Sequence, residues 1–596
     1  MKPVGLLLAA ALSFGAAFSA AAQPLAPAAT TSAKPYEIEW AVKIPMRDGV
    51  TLDATIVRPV GGGKHPVIFT LTPYVADRFM DVAAYFAKAG YVFASVDSRG
   101  RGNSGGEFVP WSGDGVDGFD AVEWLAKQPW ADGQVAMWGG SYGGKNQWMI
   151  AGEQPEGLKT IVPASPGFVG INIGKTQSNV MRPFDHNWVV NVMGNTANAN
   201  GSGDKAYWLG LYTEMAKGLV PLRDFDKLSG YASPIWQEWM RHPEMDAFWD
   251  GASVAPDRYP LIKMPTLSIA GQFEASNTGA IIFRQNHLNV ASQEVAQGSY
   301  LVIGPWDHPG SRVPKQHVGG LDLGPAAVLD VKALHVAWYD HVMKGGPVPA
   351  FLKDKVTYYL LGPNEWRSAP SIAAATARTQ ELSLSSPKSG AGSIAERGLL
   401  TATAGRERPD AYVYDPSLPA HNEGFEGDVM VSPDYLLNTA MMRRLKGDGL
   451  VYDTAPLAGD ADLVGIPKLK IDMALDVPDT DVRAVLYEVR PDGSAIFLAQ
   501  DWIRARYRES TRVAKLVTPG KVERYSFDWF PFISRRIQAG SVVRLVIVPL
   551  GAGLHVERNR NSGKTVADEL VTDSRVANVS ISVGSGASVL SLPWGQ

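Results

Sequence analysis

The chain has 596 residues, of which 45% are hydrophobic and 19% charged, and this length predicts several domains rather than one core. Its 56 basic and 60 acidic residues give a formal net charge of −4, which argues against nucleic acid or an anionic membrane as its main partner. The absence of cysteine excludes disulfides, a thiol nucleophile and thiolate metal sites.

The N-terminal residues have the features of a secretory signal peptide. Lys2 supplies positive charge, residues 4–18 form an apolar stretch too short for a comfortable membrane span, and residues 20–22 offer a cleavage site. We therefore expect residues 1–22 to be a cleaved signal and residues 23–36 to be a flexible Pro/Ala/Thr-rich leader. No later stretch has the ~20 continuous apolar residues of a spanning helix, so a protein secreted to the periplasm or exterior is expected, with no membrane span.

Strand and helix patterns alternate from residue 37 to residue 166. Asp48-Gly49 separates two alternating runs and predicts a hairpin. Apolar strand runs and helical runs then follow one another in the order 65–74, 80–90, 91–100, 117–130 and 134–138. This order is typical of a parallel sheet with helical crossovers.

Residues 167–255 have no good strand and hold tryptophan- and methionine-rich helical runs, which predict a helical cap inserted over the sheet. The sheet pattern returns in residues 256–346, with apolar runs at 264–274 and 299–308 and a long helix at 326–343. The segments on either side of the insertion therefore predict one α/β domain.

Residues 352–596 have an all-β texture, with short strands at regular spacing joined by Asp, Gly and Pro turns. This pattern predicts a C-terminal β-sandwich of jelly-roll type. Residues 368–410 are rich in Ala, Ser and Gly and are expected to include an exposed loop.

Two further motifs lack the spacing of a metal or phosphate site. The sequence D-V-P-D-T-D at 476–481 lacks the EF-hand spacing, so a solvated turn is expected there rather than a calcium site. The glycine-rich G-N-S-G-G-E-F at 102–108 has neither a G-K-S/T nor a dinucleotide pattern. No metal and no cofactor is expected.

Residues 139–143, Gly-Gly-Ser-Tyr-Gly, fit G-x-S-x-G, the pattern of a strand-to-helix turn that presents a serine nucleophile. A catalytic role for this serine is supported when an acid and then a histidine follow at the ends of later strands. Among the ten histidines, only His308 directly follows an apolar strand, and His317 on the same loop is the fallback. Ser141 and His308 are therefore the candidate nucleophile and base.

The acid is expected at the end of the preceding strand. Glu274 stands there, while Asp307 is a weaker alternative because its adjacency to His308 points its side chain elsewhere. The oxyanion needs preorganised donors, and the backbone N–H of Tyr142 and the hydroxyl of Tyr74, after Pro73 at a strand end, are the candidates.

Five aromatic side chains near these residues or in the cap are candidates to line an acyl or leaving-group pocket, and core packing is the equally open alternative. They are Trp138, Phe273, Trp306, Trp188 and Trp236.

These motifs carry a family resemblance over roughly residues 37–590. They are R-D-G-V-x-L (47–52), T-P-Y (72–74), D-x-R-G-x-G-x-S-G-G (97–106), G-G-S-Y-G-G (139–144), I-G-P-W-x-H (303–308), Y-D-P (414–416) and R-A-R-Y-R (504–508). The chain resembles the bacterial cocaine-esterase and X-Pro dipeptidyl-peptidase group of serine hydrolases, which includes the α-amino-acid ester hydrolases and glutaryl acylases. The resemblance implies an α/β-hydrolase domain with a helical cap and a C-terminal jelly roll, a triad of Ser141, His308 and the acid, and Tyr74 in the oxyanion hole.

The sequence departs from the family at the acid, where Glu274 stands in place of the usual aspartate of G-x-x-D. The α-amino-acid ester hydrolases also place a carboxylate cluster beside the acid to hold a substrate ammonium, whereas the neighbours here are Ala275, Ser276 and Asn277.

We therefore predict a secreted serine hydrolase that cleaves a small-molecule ester or amide through an acyl-enzyme, with an ester preferred because no peptide-terminus site is evident. The alternatives are an X-Pro dipeptidyl-peptidase-like peptidase or a β-lactam or glutaryl-type acylase, acting on amides or short peptides. A carbohydrate- or surface-binding protein that works through its jelly roll is the alternative of a different class.

Overall fold

The computed structural model describes residues 35–418, 433–437, 442, 445–550 and 556–595. The predicted signal peptide and all but the last two residues of the predicted leader lie outside this part of the chain. Within the described ranges, no helix combines the length and apolar character needed to cross a membrane.

The first of the two large sheets is a ten-stranded mixed sheet. Its strands are β1 (Tyr36–Pro45), β2 (Thr51–Pro59), β3 (His65–Thr72), β4 (Val92–Asp97), β5 (Ala131–Gly140), β6 (Leu158–Ala164), β7 (Thr266–Gly271), β8 (Ser299–Gly304), β9 (Val356–Leu360) and β10 (Glu365–Ala369). In space they lie in the order β1-β2-β4-β3-β5-β6-β7-β8-β9-β10. In this spatial order, every neighbouring pair from β4 through β3 to β9 is parallel. The pairs β1–β2, β2–β4 and β9–β10 are antiparallel.

Helices cover both faces of this sheet, so its central strands are nearly continuous buried apolar runs. The covering helices are α1 (Met80–Lys88), α2 (Asp114–Ala126), α3 (Tyr142–Gly152), α10 (Ser276–Leu288) and α12 (Val331–Lys344). On one face Leu125, Trp148 and Phe283 belong to one buried cluster, and on the other Phe86 and Trp338 belong to a second. The two clusters hold the carboxyl ends of the parallel strands at one edge.

Six helices lie between β6 and β7 in the chain and form the insertion. They are α4 (Pro183–Val192), α5 (Ala199–Gly203), α6 (Lys205–Ala216), α7 (Phe225–Leu228), α8 (Pro234–Arg241) and α9 (Ala247–Gly251). Their core is largely aromatic, with Trp208, Phe225, Trp236 and Trp249 fully buried.

The C-terminal part is a second, 13-stranded sheet system. Its strands are β11 (Arg378–Ser385), β12 (Gly398–Thr401), β13 (Asp410–Tyr414), β14 (Leu450–Asp453), β15 (Ala461–Gly465), β16 (Lys468–Leu475), β17 (Asp481–Val489), β18 (Ala495–Arg504), β19 (Glu523–Phe527), β20 (Ile533–Ile537), β21 (Val542–Pro549), β22 (Ala577–Ser582) and β23 (Val589–Trp594). The main path runs β13-β22-β16-β23-β11-β12-β14-β21-β17-β18, with β15 on β20 and β23, and β19 on β16. The described residues also form two short helices, α11 (Gln293–Gln297) and α13 (Ile372–Ala375).

The structure differs from the sequence expectations at two places. The predicted sandwich starts at residue 352, but β9 pairs in parallel with β8 in the register Leu301↔Val356, so the first sheet extends to Ala369. The expected solvated turn at 476–481 is instead largely buried.

The buried carboxylates of that turn explain part of the R-A-R-Y-R motif. Asp479 accepts a hydrogen bond from Arg506 Nε at 2.7 Å, and Asp481 accepts a bidentate pair from Arg504 at 2.9 and 2.8 Å. Buried charges are stable only when paired in this way, so this motif is structural.

Candidate active site

Ser141, Glu274 and His308 line one cavity of about 420 Å³. Ser141 follows β5 directly, Glu274 comes three residues after β7, and His308 comes four residues after β8. Because these strands are parallel neighbours, or separated only by β6, their carboxyl ends bring residues that are far apart in the chain to one place.

The turn that carries Ser141 is strained and depends on glycine. Ser141 has φ 61° and ψ −115° at the start of α3, and its N–H donates to Ala164 O at 2.9 Å. A Cβ at Gly139 would lie 2.9 Å from Gly143 O, and one at Gly144 would lie 2.6 Å from Ala164 O. Both approaches are too close for a side chain, so the glycines permit the tight turn that presents the serine.

Glu274 orients His308. The Nδ1 of His308 and Oε2 of Glu274 are 2.6 Å apart, while Oε1 of Glu274 accepts from Ser165 Oγ at 2.6 Å and from Gly271 N at 2.7 Å. The Glu274 side chain is 2% exposed and that of His308 is 39% exposed. A buried carboxylate on Nδ1 fixes the imidazole so that Nε2 is left for proton transfer.

Tyr74 and Tyr142 line the same cavity. Trp188 Nε1 donates to the Tyr74 hydroxyl oxygen at 3.1 Å, which leaves the hydroxyl proton of Tyr74 able to donate elsewhere. Tyr142 is the first residue of α3, where backbone N–H groups have no acceptor within the helix. The two residues predicted to bind an oxyanion therefore both line the cavity.

Four aromatic rings that stack on one another line the cavity and are here called the aromatic wall: Trp111, Tyr142, Trp188 and Trp239. The rings are nearly parallel, with Trp111 at 6° to Trp188 and 11° to Trp239, and centroids 5.4 and 5.6 Å apart. Trp111 has φ 62°, and its backbone N–H donates to the Tyr142 hydroxyl at 3.0 Å. The wall is thus held to the helix that starts at the serine turn.

A buried acid and base lie behind the wall. Lys145 Nζ is 5.5 Å from the Trp111 ring centroid, and Asp114 is hydrogen-bonded to the Tyr142 side chain. Burial raises the pKa of the Asp114 carboxyl and lowers that of the Lys145 ammonium.

Three charged side chains on the cavity wall have partners. Arg182 Nη2 contacts Asp185 Oδ1 at 2.6 Å, and Asp307 Oδ1 accepts from Gly310 N at 2.9 Å. Across the part of the chain that the structure describes, no group of three or more His, Asp or Glu side chains is placed to hold a metal ion.

The C-terminal part also contributes to the cavity, through Tyr435, Gln500, Trp502 and Val556. Trp502 Nε1 donates to Thr176 Oγ1 at 3.2 Å, which joins β18 to the insertion beside the cavity.

The five predicted pocket aromatics divide into two groups. Trp188 and Phe273 line the cavity. The prediction is wrong for Trp138, Trp306 and Trp236, which are not among the lining residues and are exposed by 7%, 0% and 0%.

Each of these three rings has core partners. Trp138 packs edge-on against Phe79 and Phe93, and Trp306 donates its indole N–H to Ala327 O at 2.8 Å. Trp236 lies 5.3 Å from His186 inside the cap core.

The two alternatives left open in the sequence are less favourably placed than the first choices. The fallback His317 is 72% exposed and is not among the lining residues. Asp307 lines the cavity, but the carboxylate on His308 Nδ1 is that of Glu274.

Sequence reasoning missed Trp111 and Trp239. Trp239 stands three residues after Trp236 on α8, and residues at that spacing share a helix face, so the pattern alone does not say which ring faces the cavity. Trp111 lies in a turn-rich loop without periodicity, where only its large apolar side chain was a signal.

Known protein families and individual known proteins match most of the chain. A family model described as X-Pro dipeptidyl-peptidase (S15 family) matches residues 48–310, and one for the X-Pro dipeptidyl-peptidase C-terminal non-catalytic domain matches residues 350–552. The cocaine esterase of Rhodococcus sp. (strain MB1 Bresler) is 26% identical, with 90% of this chain and 94% of that protein covered.

Two solved structures share the fold. A selenomethionine-labelled α-amino acid ester hydrolase has a TM-score of 0.80 and 22% identity, with 96% of this chain and 98% of that chain covered. An aminopeptidase from a marine sediment archaeon, Thaumarchaeota archaeon, has a TM-score of 0.78 and 21% identity, with 97% and 99% covered. The predicted fold class, an α/β hydrolase with a C-terminal β domain, is confirmed. The chain belongs to the cocaine-esterase and X-Pro dipeptidyl-peptidase-like family and is a serine hydrolase that acts on esters or X-Pro peptides.

Proposed function

We propose that this protein hydrolyses an ester through an acyl-enzyme formed on Ser141. The Ser141 oxygen bonds to the substrate carbonyl carbon while His308 Nε2 takes its proton, and Glu274 stabilises the imidazolium. His308 then protonates the leaving alcohol, and the same steps with water release the acid. The observation that carries the proposal is the 2.6 Å contact of His308 with Glu274 on a cavity shared with Ser141.

Two donors on the cavity wall are assigned to the oxyanion. We place the negative oxygen of the tetrahedral intermediate between the Tyr142 backbone N–H and the Tyr74 hydroxyl. The Trp188 indole supports this assignment, because its hydrogen bond occupies the hydroxyl oxygen and turns the hydroxyl proton of Tyr74 away from Trp188.

The shape of the cavity favours a substrate with a flat apolar group. Trp188 is the half-buried ring of the aromatic wall, and the wall gives the cavity an apolar side against which an aryl or similar group can pack. We therefore propose an ester that carries an aromatic acyl or alcohol moiety.

The charges of the cavity favour an ester over a peptide. A peptide N-terminus needs a carboxylate to bind its ammonium, but Glu274 is bonded to His308 and Asp185 is ion-paired with Arg182. This leaves Asp307, which accepts one hydrogen bond from Gly310 N, as the remaining carboxylate among the lining residues. An X-Pro dipeptidyl-peptidase-like or acylase activity is the second candidate, favoured by the family model that spans residues 48–310.

A side-by-side substrate screen tests the choice. Purified protein and Ser141→Ala would be assayed with phenyl acetate, methyl benzoate, an alanyl-prolyl p-nitroanilide and a glutaryl p-nitroanilide. Ser141-dependent hydrolysis of either aromatic ester supports the proposal. Activity on an anilide alone would replace it with the peptidase or acylase alternative.

We also propose that the protein is exported after removal of residues 1–22, on the strength of the sequence pattern alone. Mass spectrometry of the protein secreted by an expressing bacterium should find a mature N-terminus at Gln23. Retention of the intact N-terminus in the cytoplasm would contradict this part.

A further inference from the structure

The segment that carries Tyr74 contains a strained residue. Val75 has φ 72° and ψ 123° immediately before a 3-10 turn at Ala76–Phe79. A positive φ is a genuine outlier for a β-branched side chain, because its branched Cβ crowds the backbone there. Such a conformation persists only where the surroundings enforce it.

Two buried side chains hold this strained turn on both sides of Tyr74. Asp97 Oδ1 accepts from Ala76 N at 2.7 Å, and Arg101 Nε donates to Pro73 O at 2.7 Å. Asp97 is 3% exposed and Arg101 is fully buried, although neither takes part in the proposed chemistry.

Arg101 also binds the cap. Its Nη2 donates to Thr196 O at 3.1 Å, its Nη1 donates to Gly194 O, and the neighbouring Gly102 N donates to Asn195 O at 2.6 Å. Residues 194–196 directly follow α4, the helix that carries Trp188.

Together these contacts connect the backbone next to Tyr74 with the loop after α4, and α4 with the Tyr74 hydroxyl. Arg101 holds the peptide that precedes Tyr74 and the loop that follows α4, while Trp188 on α4 donates to the Tyr74 oxygen. A single rigid guanidinium fork therefore fixes the hydroxyl and its hydrogen-bonding partner relative to each other, which the compact ammonium of a lysine, with three rotatable donors on a flexible stem, does not do.

We propose that Asp97 and Arg101 are positioning residues for the Tyr74 hydroxyl, which they hold by clamping the strained turn at Pro73–Ala76 and joining it to the cap. The inference rests on the proposed role of Tyr74 as an oxyanion donor. It predicts that loss of the clamp acts on kcat through Tyr74, with little effect on KM.

Two single variants establish the baseline, with hydrolysis of p-nitrophenyl butyrate as the assay. We expect Tyr74→Phe to lower kcat about 100-fold, since removal of one oxyanion donor costs about 10²–10³-fold in well-studied enzymes. Arg101→Lys keeps the charge but loses the fork, and we expect kcat about tenfold lower with KM within about twofold, as for one displaced hydrogen bond to a charged group.

The deciding measurement is the double variant. In the Tyr74→Phe background, Arg101→Lys should lower kcat by less than about twofold, because no hydroxyl remains to be positioned. An equal loss in both backgrounds would overturn the inference and leave the role of Tyr74 standing. An unchanged kcat in Tyr74→Phe alone would instead overturn that proposed role.

A second cycle covers the case in which Arg101→Lys does not fold. Asp97→Ala removes the acceptor of the Ala76 N–H, and it must show the same pattern with and without the Tyr74 hydroxyl. Arg99→Lys is the matched control, because Arg99 lies on the same loop but pairs with Asp117 and Asp48. Its kcat should stay within about twofold of wild type, and a loss equal to that of Arg101→Lys would overturn the specificity of the clamp.

Discussion

Replacement of Glu274 by glutamine tests the proposed base most sharply, because the surroundings of the carboxylate decide which way the new amide turns. Oε1 accepts from Gly271 N–H and from Ser165 Oγ, whereas Oε2 faces His308 Nδ1. A backbone N–H is always a donor, so the amide oxygen of glutamine must stay on Gly271. The amide NH₂ then faces the imidazole, whose Nδ1 must become the acceptor.

That tautomer carries its proton on Nε2 and cannot accept the proton of Ser141. In serine proteases the equivalent change of acid to amide lowers kcat about 10⁴-fold with the geometry intact, which corresponds to about 5 kcal/mol of transition-state stabilisation. We expect a loss of that size in Glu274→Gln, with KM changed by less than about threefold because Glu274 does not itself bind the acyl group.

Steady-state hydrolysis of p-nitrophenyl butyrate by the two proteins measures the loss, with circular dichroism melts to show that both are folded. Glu274→Asp is the matched control, because it keeps the charge and restores the aspartate usual in the family, and it should retain far more activity than the amide. A folded Glu274→Gln protein within about tenfold of wild type would refute the tautomer argument.

Three other perturbations have expected results. Trp188→Phe removes the indole donor to Tyr74, so kcat should fall about fivefold in ester hydrolysis, as for one neutral hydrogen bond. Ser165→Ala removes one of three donors to Glu274, so kcat should fall by less than about fivefold in the same assay. Burial lowers the pKa of His186 to about 4 from an ordinary 6.5, so its contribution to stability is complete above pH 6.5 and declines by about 3 kcal/mol as the pH falls through 4, measured by chemical denaturation.

Each of these three predictions has a matched variant as its control. Trp188→Phe in a Tyr74→Phe background should have no further effect on kcat, and an equal loss there would show that the indole acts by another route. Ser165→Thr, which keeps the hydroxyl, should retain more activity than Ser165→Ala. The pH dependence of unfolding should be shallower in His186→Gln and unchanged for the exposed His317→Gln, and parallel curves for all three proteins would contradict the role of His186.

Much of the site was predictable because parallel strands place their carboxyl ends at one edge. Glu274 and His308 each follow a buried strand after a short turn, and the structure puts them 2.6 Å apart. Chain order and strand ends were sufficient for this, because the sheet itself carries the long-range geometry.

The aromatic pocket was not predictable in the same way. Trp138 lies on β5 three residues before Ser141, and side chains an odd number of residues apart on a strand point to opposite faces, so its ring entered the core. Trp306 lies in the loop after β8, where its hydrogen bond to Ala327 O holds the ring in the core. Trp111 and Trp239 come from a loop and a cap helix whose packing depends on tertiary contacts that no local pattern records.

The point at which the first sheet ends also depends on tertiary contacts and could not be predicted from the sequence. Val356–Leu360 reads as the start of an all-β region, yet its partner is β8, more than 50 residues earlier. Strand pairing at this separation depends on which edge is open after the helices have packed, and a window of sequence does not contain that information.

The central claim is that Ser141 is the nucleophile, and covalent labelling tests it most directly. Intact-mass spectrometry after treatment with a fluorophosphonate should find one phosphonyl adduct, peptide mapping should place it on Ser141, and Ser141→Ala should remain unlabelled. A correctly folded wild-type protein without an adduct, or an adduct that persists in Ser141→Ala, would contradict the account.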